Sequence, residues 1–331
     1  MVSTAAAAAT IYSVSHWLNY LGAIPMITFG IIGALLTILV FTEKRSFRRN
    51  PTIIYLLACA IMTAIHLPTI YLQSILVDGF GLGVYNTNDI ACREHNYLLY
   101  VTTVPTILFP CWAAFDQYAG TSRDANFRNR WSSMRVVRIA IISTILFWVI
   151  VYIPMFIYSA AVNGSCVLTD VSYARFSDLF LTPLVYAVGP LCLIALFTWG
   201  TVRNLRATAF VSRNDRLAKQ IREMLTSQLV VLAISGIPFG FQTIYLNSTS
   251  QIEKSEVRLA IENLFVQIIR LFYHCNFVCP FYIYWYKSNE VRKVLKILAC
   301  KLFRMNLNQV EPITVTFHAT NNTVKTERIS S

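Results

Sequence analysis

Charged side chains are scarce in this chain. Only 13% of its 331 residues are Asp, Glu, Lys or Arg, whereas 56% are hydrophobic. A typical soluble domain carries about a quarter charged residues, so this composition excludes an ordinary water-soluble protein. Acidic residues are the scarcer kind, which leaves a net charge of +12. The basic residues lie in short runs between apolar segments and not on one polar domain, which argues against nucleic-acid binding.

Several functional signatures are also missing. The first seventeen residues contain no Lys or Arg, so the basic start of a cleavable signal peptide is absent. We therefore expect residues 1–17 to form a short, uncleaved extracellular N-terminus. No apolar stretch carries paired aspartates, a His-Glu-x-x-His motif or a metal-ligating cluster. We expect neither an enzyme nor a bound metal or other cofactor.

Long apolar stretches dominate what remains. Each is long enough to cross a hydrocarbon core of roughly 30 Å as a helix. The predicted spans are 18–42, 53–77, 92–118, 136–160, 178–202, 224–246 and 261–286. The sequence therefore predicts an all-α membrane protein, a seven-transmembrane helix bundle, in a domain of residues 18–304.

The basic residues also predict an orientation. Most Lys and Arg lie between spans one and two, three and four, and five and six, or after span seven. Because cytoplasmic loops carry the excess of positive charge, these segments are expected inside the cell. We therefore expect a multi-pass protein of the plasma membrane with an extracellular N-terminus and a cytoplasmic C-terminus.

The chain changes character after the last span. Apolar residues recur at helical spacing in 288–304, with Lys and Arg between them, which predicts a short amphipathic helix on the inner membrane lipids. Cys300 is a candidate for acylation; the alternative is a basic linker with a free thiol. Residues 305–331 are rich in Ser and Thr and predict a disordered cytoplasmic tail.

Two extracellular modifications follow from this topology. Of the eight cysteines, only Cys92 and Cys166 face the oxidising side, which predicts a disulfide between them. The alternative is two thiols that stay free or are oxidised otherwise. Asn163 and Asn247 begin glycosylation sequons in predicted outer loops.

The order and spacing of these features resemble the rhodopsin-like (class A) G-protein-coupled receptors, as a divergent invertebrate-type member. The resemblance rests on the seven spans, the cysteine pair, an acid-x-Tyr triplet at the end of span three, and prolines in the later spans. It implies a heterotrimeric G protein as partner, arrestin at the tail, and an activation switch formed by Asp116, Gln117, Tyr118, Pro238 and Pro280.

The chain departs from the family at several polar positions. The family's arginine in the triplet is Gln117 here, and the acid that many members place in span six is Ala218. A buried arginine without an acidic partner costs several kcal/mol, so the two losses are compatible. Ile61 replaces the family's span-two aspartate, so we expect no sodium regulation. These departures predict a weaker or different latch on the inactive state.

The ligand is less well indicated. Leu99 occupies the position where amine receptors carry an aspartate, and Tyr273 the position of the retinal-binding lysine, which disfavours both ligand types. Arg270 inside a span favours an anionic ligand, unless it reaches outward or pairs with Glu256 or Glu262. The ligand-binding candidates are Leu99, Thr102, Thr103, Phe239, Gln242, Arg270 and Tyr273.

The implied function is transduction of an extracellular signal, of peptide or chemosensory type, to heterotrimeric G proteins. The alternative is a small-molecule transporter or channel of the plasma membrane. Against that alternative stands the lack of a two-fold internal repeat and of paired broken helices in the sequence.

Overall fold

The computed structural model describes residues 2–73, 83–207, 216–249 and 252–302. Seven helical segments in this part of the chain are long and apolar enough to cross a membrane, which confirms the predicted seven-helix bundle of a multi-pass membrane protein. Numbered one to seven, the spans are Ala5–Glu43, Pro51–Tyr71, Asp89–Gly120, Met134–Tyr158, Val171–Arg206, Lys219–Ser248 and Glu256–Lys287.

The spans are built from α-helices, with π-helical turns inside spans one and five. The helices are α1 (Val2–Leu18), α2 (Ile24–Glu43), α3 (Arg45–Arg48), α4 (Pro51–Gln73), α5 (Val84–Thr87), α6 (Asp89–Gly120), α7 (Ala125–Trp131), α8 (Met134–Val151), α9 (Ile153–Tyr158), α10 (Val171–Phe176), α11 (Gly189–Ala207), α12 (Arg216–Ser248), α13 (Glu256–Lys287) and α14 (Asn289–Leu302). The π-helical turns are Asn19–Ala23, Ser177–Leu181 and Leu184–Val188.

The first helix begins earlier than the sequence predicted. Residues 1–17 were expected to precede the first span, yet α1 is helical from Val2 and continues through the turn Asn19–Ala23 into α2. The run of alanines at 5–9 explains the extension, because alanine has the highest helix propensity of all residues. The added helix α1 packs along α13, the helix of span seven.

A β-hairpin joins spans four and five. Its strands, β1 (Ser159–Val162) and β2 (Ser165–Leu168), pair antiparallel, with Ala161 opposite Cys166. Asn163 and Gly164 form the two-residue turn, and both have positive φ angles, 51° and 74°. Asn-Gly is the favoured pair for such a turn because both central residues need a left-handed conformation. The span prediction ran to residue 160 and missed this hairpin.

The predicted disulfide between Cys92 and Cys166 is confirmed, with the two Cα atoms 5.6 Å apart. It fastens the hairpin over the first turns of span three. Two further bonds support it: Arg93 Nε donates to the carbonyl of Ser159 at 3.0 Å, and the Ala161 N–H donates to Asp89 at 2.8 Å. We call this end of the bundle the disulfide end.

Helix α14 marks the opposite end of the bundle, the α14 end. Its apolar face buries Val291 and Val294, as the predicted amphipathic helix requires. Lys44, which follows span one, forms an ion pair with Glu290 and holds the pKa of that carboxyl below its usual range. Cys300 is half-buried in this helix. The predicted tail, residues 305–331, lies outside the described residues.

Candidate functional site

A buried polar cluster lies where span three reaches the α14 end. Asp116, only 6% exposed, accepts hydrogen bonds from Thr52 Oγ1 at 2.5 Å and from Ser132 Oγ at 2.7 Å. Gln117 Nε2 donates to the same Thr52 oxygen at 2.6 Å. One threonine hydroxyl at the start of span two therefore contacts two members of the acid-x-Tyr triplet, which consists of Asp116, Gln117 and Tyr118. We call Thr52, Asp116, Gln117 and Ser132 the threonine latch.

The third member of the triplet contacts a different helix. The ring of Tyr118 lies against Gly200 of span five, where a Cβ atom would sit only 2.6 Å from Tyr118 Cδ2. Phe127 and Phe197 pack beside the ring, each with its centroid 6.1 Å away. Span three is thus attached to span two by Asp116 and Gln117, and to span five by Tyr118.

Gln117 also borders a cavity of about 630 Å³ that lies between spans three, five, six and seven at the α14 end. The charged members of its lining are predominantly basic, with three cations and one acid. The charged lining residues are Lys219, Arg222, Lys287 and Glu223, and hydroxyl-bearing neighbours include Thr198, Thr201, Thr226 and Ser227.

Neutral hydrogen bonds hold span six in place beside this cavity. Tyr284 OH of span seven donates to Gln228 Oε1, and the hydroxyl of Ser288 donates to Gln220 Oε1 at 2.9 Å. Further along the same pair of helices, Asn276 Nδ2 donates to Ser235 Oγ at 2.5 Å. None of these three contacts is an ion pair, so each is expected to contribute only about 1 kcal/mol.

The two predicted switch prolines lie inside continuous helices. Pro238 lies within α12 and lines an apolar groove of about 480 Å³ between spans six and seven. Pro280 lies within α13, beside span one and span two. Membrane helices tolerate internal prolines because neighbouring helices satisfy the freed backbone groups.

The predicted ligand candidates of span three face the bundle interior. Thr102 and Thr103 are both buried, and their hydroxyls lie 3.1 Å and 3.2 Å from His66 Nδ1. Each hydroxyl also donates to a carbonyl one turn earlier in its own helix. Leu99 is half-buried and packs against the core. The two threonines thus join span three to span two.

Aromatic rings connect the remaining spans through the interior. Tyr100 of span three contacts Tyr152 of span four at 5.3 Å and Tyr186 of span five at 6.3 Å between ring centroids. Tyr186 in turn contacts Phe239 of span six at 6.3 Å, and Phe239 stacks on Tyr273 of span seven at 4.3 Å. We call these five residues the aromatic belt.

Only Phe239 and Tyr273 of the belt were predicted from the sequence. Tyr100, Tyr152 and Tyr186 were missed, although a tyrosine within an apolar span is itself a signal because its hydroxyl needs a partner when buried. The contacts depend on how each helix is rotated, which spacing along one helix does not reveal.

Several buried polar atoms within the bundle have no hydrogen-bond partner among the described residues. Native proteins satisfy nearly all buried polar atoms, so such a concentration identifies a candidate binding region. The atoms include Tyr173 OH, Ser177 Oγ, Tyr273 OH, His66 Nε2, His274 Nδ1 and Asn276 Oδ1.

Gln242 and Arg270 lie apart from the belt. Gln242 lines the apolar groove beside Pro238, next to the exposed ring of Phe241. Arg270 is half-buried on span seven. Glu262, one of its predicted partners, forms ion pairs with Lys254 at 2.6 Å and Arg258 at 3.0 Å.

The two glycosylation candidates differ in accessibility. Asn163 is exposed at the tip of the hairpin. Asn247 lies in the last turn of span six, and its amide donates to the carbonyl of Asp178 at 2.9 Å. Modification of Asn163 therefore requires no rearrangement, whereas modification of Asn247 requires that bond to break. Both modifications stay predictions.

The bundle thus has two candidate sites, the aromatic belt in its interior and the basic cavity at the α14 end. Among the described residues, no group of three or more His, Cys, Asp or Glu side chains is placed to hold a metal ion. Comparison of the chain with models of known protein families found no match, and comparison with curated proteins found none either.

Proposed function

We propose that this chain is a receptor of the plasma membrane that binds an extracellular ligand in the bundle and activates a heterotrimeric G protein at the α14 end. The observation that carries the proposal is the basic cavity beside Gln117. The cavity opens at the end where the residues of the receptor-like triplet lie, and where the positive-inside rule places the cytoplasm.

The lining of the cavity favours a protein partner with acidic or carbonyl-rich surface. Lys219, Arg222 and Lys287 outnumber the single acid Glu223, so the local potential attracts negative charge. Two of the three cations lie on span six. Outward movement of this end of span six would widen the cavity for the partner.

The energetic cost of this movement supports a switch. Displacing span six breaks the contacts Tyr284 to Gln228 and Ser288 to Gln220, which are neutral hydrogen bonds. At about 1 kcal/mol each, their loss lies within reach of the binding energy of a small ligand. Because these two bonds are neutral, they add less to the cost of opening than ion pairs would, which favours a movement that ligand binding can drive.

The threonine latch is the second support. In the receptor family that the chain resembles, the triplet carries an arginine, which Gln117 replaces here. The structure joins Gln117 to span two through Thr52, so span three is held by a neutral amide and a hydroxyl. We propose that this bond restrains the inactive state in place of an ionic contact.

The proposal is tested by a ligand screen in cells that express the full-length chain with promiscuous G proteins. A hit raises second-messenger levels only in cells that carry the chain. The variant Thr226→Trp places a large ring in the cavity and abolishes the response, because Thr226 lines it. Ile234→Trp, on the exposed face of the same helix, is the matched control and keeps the response.

Two results contradict the proposal. One is a ligand-evoked current or flux that proceeds without a G protein and persists in Thr226→Trp, which would assign the chain to the transporters or channels. The other is a second-messenger response that the filled cavity does not diminish.

A further inference from the structure

The apolar groove between spans six and seven has room for a compact ligand. Its volume is about 480 Å³, within the range of small-molecule sites in proteins. Its lining residues lie within 238–246 of span six and 261–269 of span seven, which places the groove in the half of the bundle toward the disulfide end. At 1.5 Å per residue, each of these helical stretches is about 12 Å long.

The groove opens toward the hydrocarbon of the bilayer. Phe241 and Phe265, one on each helix, line the groove and are exposed on the surface of the bundle. Both belong to segments long and apolar enough to cross the membrane. Exposed apolar side chains at this depth contact lipid and not water. A molecule that enters the groove from this side therefore comes from the membrane itself.

The charges beside the groove are already paired with one another. Among the described residues that line it, only Glu262 is charged. Its carboxylate binds Lys254 at 2.6 Å and Arg258 at 3.0 Å, and Tyr245 OH donates a third bond to it at 2.9 Å. A charged headgroup would have to displace these contacts. The groove is therefore complementary to a neutral ligand.

One polar group of the lining lacks a partner. Gln242 Oε1 is buried and accepts no hydrogen bond among the described residues, although the Gln242 side chain lines the groove. Rotation of the amide about its last bond exchanges the positions of its oxygen and nitrogen. A ligand hydroxyl can donate to the oxygen or accept from the nitrogen. Gln242 therefore marks the position of a neutral polar head.

We infer that this groove binds a sterol from the bilayer, with the sterol hydroxyl on the Gln242 amide and the ring system against Phe241 and Phe265. A sterol is neutral and carries a single hydroxyl at one end of a hydrocarbon body. Its fused rings are rigid, so it loses less conformational freedom on binding than an acyl chain does. The site lies outside the aromatic belt and the basic cavity, and the inference does not depend on coupling to a G protein.

Photolabelling tests the inference directly. The purified full-length chain in phosphatidylcholine nanodiscs is illuminated with a cholesterol analogue that carries a diazirine in its rings and keeps the hydroxyl, and labelled peptides are identified by mass spectrometry. We expect label within residues 238–246 and 261–269. Excess cholesterol should remove this label. Cholestene, which has the same rings but no hydroxyl, should compete about three- to tenfold less well, because it lacks one hydrogen bond.

Two pairs of variants separate the hydroxyl contact from the shape of the groove. Gln242→Leu removes the amide and should make cholesterol compete no better than cholestene. Thr243→Val is its control, because Thr243 does not line the groove and donates to a carbonyl of its own helix. Val266→Trp fills the groove and should abolish the label. Ile268→Trp is the control for that change, because Ile268 is exposed on the same helix outside the lining.

Several results would overturn the inference. One is label outside the two segments, or label that excess cholesterol does not remove. Another is equal competition by cholestene and cholesterol on the unaltered chain, which needs no variant to fold and would show that the groove accepts any hydrocarbon of the bilayer. A Gln242→Leu variant that still distinguishes the two sterols would also contradict it. Crosslinking of two chains through Phe265→Cys that cholesterol does not diminish would assign the groove to a second copy of the chain.

Discussion

Thr52 Oγ1 accepts a hydrogen bond from Gln117 Nε2 at 2.6 Å, although 65 positions separate the two residues in the chain. The same hydroxyl donates to the Asp116 carboxylate at 2.5 Å. Because both bonds meet at one oxygen, a single substitution at Thr52 breaks both of them without changing Asp116, Gln117 or Tyr118.

Replacing Thr52 with valine should destabilise the protein. The change keeps the shape of the side chain but leaves Gln117 Nε2 without this acceptor and takes one donor from the buried Asp116. Loss of such buried partners costs about 1–3 kcal/mol, measured as a lower melting temperature in nanodiscs. Thr63→Val is the control, because Thr63 is equally buried on the same helix and donates only to a carbonyl of its own helix. Equal melting temperatures for the two variants would contradict the role of Thr52.

Replacing Gln117 with arginine, the residue found in the family that the chain resembles, should strengthen the latch. The Gln117 amide and the Asp116 carboxylate share the Thr52 hydroxyl, so we expect the longer guanidinium to reach the carboxylate. A charge-assisted contact of this kind is about twice as strong as a neutral hydrogen bond. We expect lower basal G-protein activation in cells. Gln117→Met, which removes the hydrogen bond without adding charge, should raise it. The latch hypothesis fails if Gln117→Arg leaves both basal and ligand-stimulated activation unchanged.

Two glycines provide a matched test of the Tyr118 contact. A Cβ atom at Gly200 would meet the Tyr118 ring at 2.6 Å, whereas at Gly236 the nearest atom of another residue, the Tyr186 carbonyl oxygen, is 3.8 Å away. Gly200→Ala must displace the ring and should lower stability by about 1–3 kcal/mol. Gly236→Ala should be neutral or stabilising, since alanine favours the helix. The reverse order of melting temperatures would show that span five does not contact Tyr118 as described.

The ion pair between Lys44 and Glu290 should make the docking of α14 depend on pH. Lys44 lowers the pKa of Glu290, so the pair stabilises the folded state above the ordinary pKa of a glutamate, and this contribution is lost as the pH falls through the lowered pKa of the folded state. Lys44→Met should therefore cost about 0.5–1 kcal/mol of stability at pH 7 and nothing at an acidic pH below the lowered pKa of Glu290.

Lys296→Met is the control for that measurement. Lys296 is exposed on α14, the helix that carries Glu290, and forms no ion pair among the described residues. It should melt like the unaltered chain at both pH values. A difference between Lys44→Met and the unaltered chain that is equally large at both pH values would contradict the ionic origin.

Much of the architecture could be predicted because it depends on local composition. The length of each apolar stretch predicts each span, and the spacing of Val291 and Val294 predicts the buried face of α14. The placement of Lys and Arg predicts which loops lie outside the cell, and so which two cysteines can form a disulfide. The early start of α1 was missed because the alanine run is a strong helix former but only weakly apolar. The high helix propensity of alanine extends the helix to Val2, whereas its weak hydrophobicity kept these residues out of the predicted span.

The candidate sites were harder to predict, for a physical reason. The triplet was recognised from its spacing, but its partner Thr52 lies on another helix and carries no distinctive pattern. Thr102 and Thr103 remain predicted ligand-binding residues, but their contact with His66 was not predicted. Each of these contacts depends on the rotation of a helix about its axis, which packing decides.

The central claim is that opening of the α14 end activates a G protein, and nucleotide exchange measures this most directly. The purified chain in nanodiscs is mixed with heterotrimeric G proteins, and the rate of GTP-analogue uptake is compared for the unaltered chain, Thr52→Val, and Thr52→Val combined with Thr226→Trp. We predict faster exchange with Thr52→Val than with the unaltered chain, and a return to the receptor-free rate when the cavity is filled. Exchange at the receptor-free rate for all three proteins, or undiminished exchange with the filled cavity, would contradict the account.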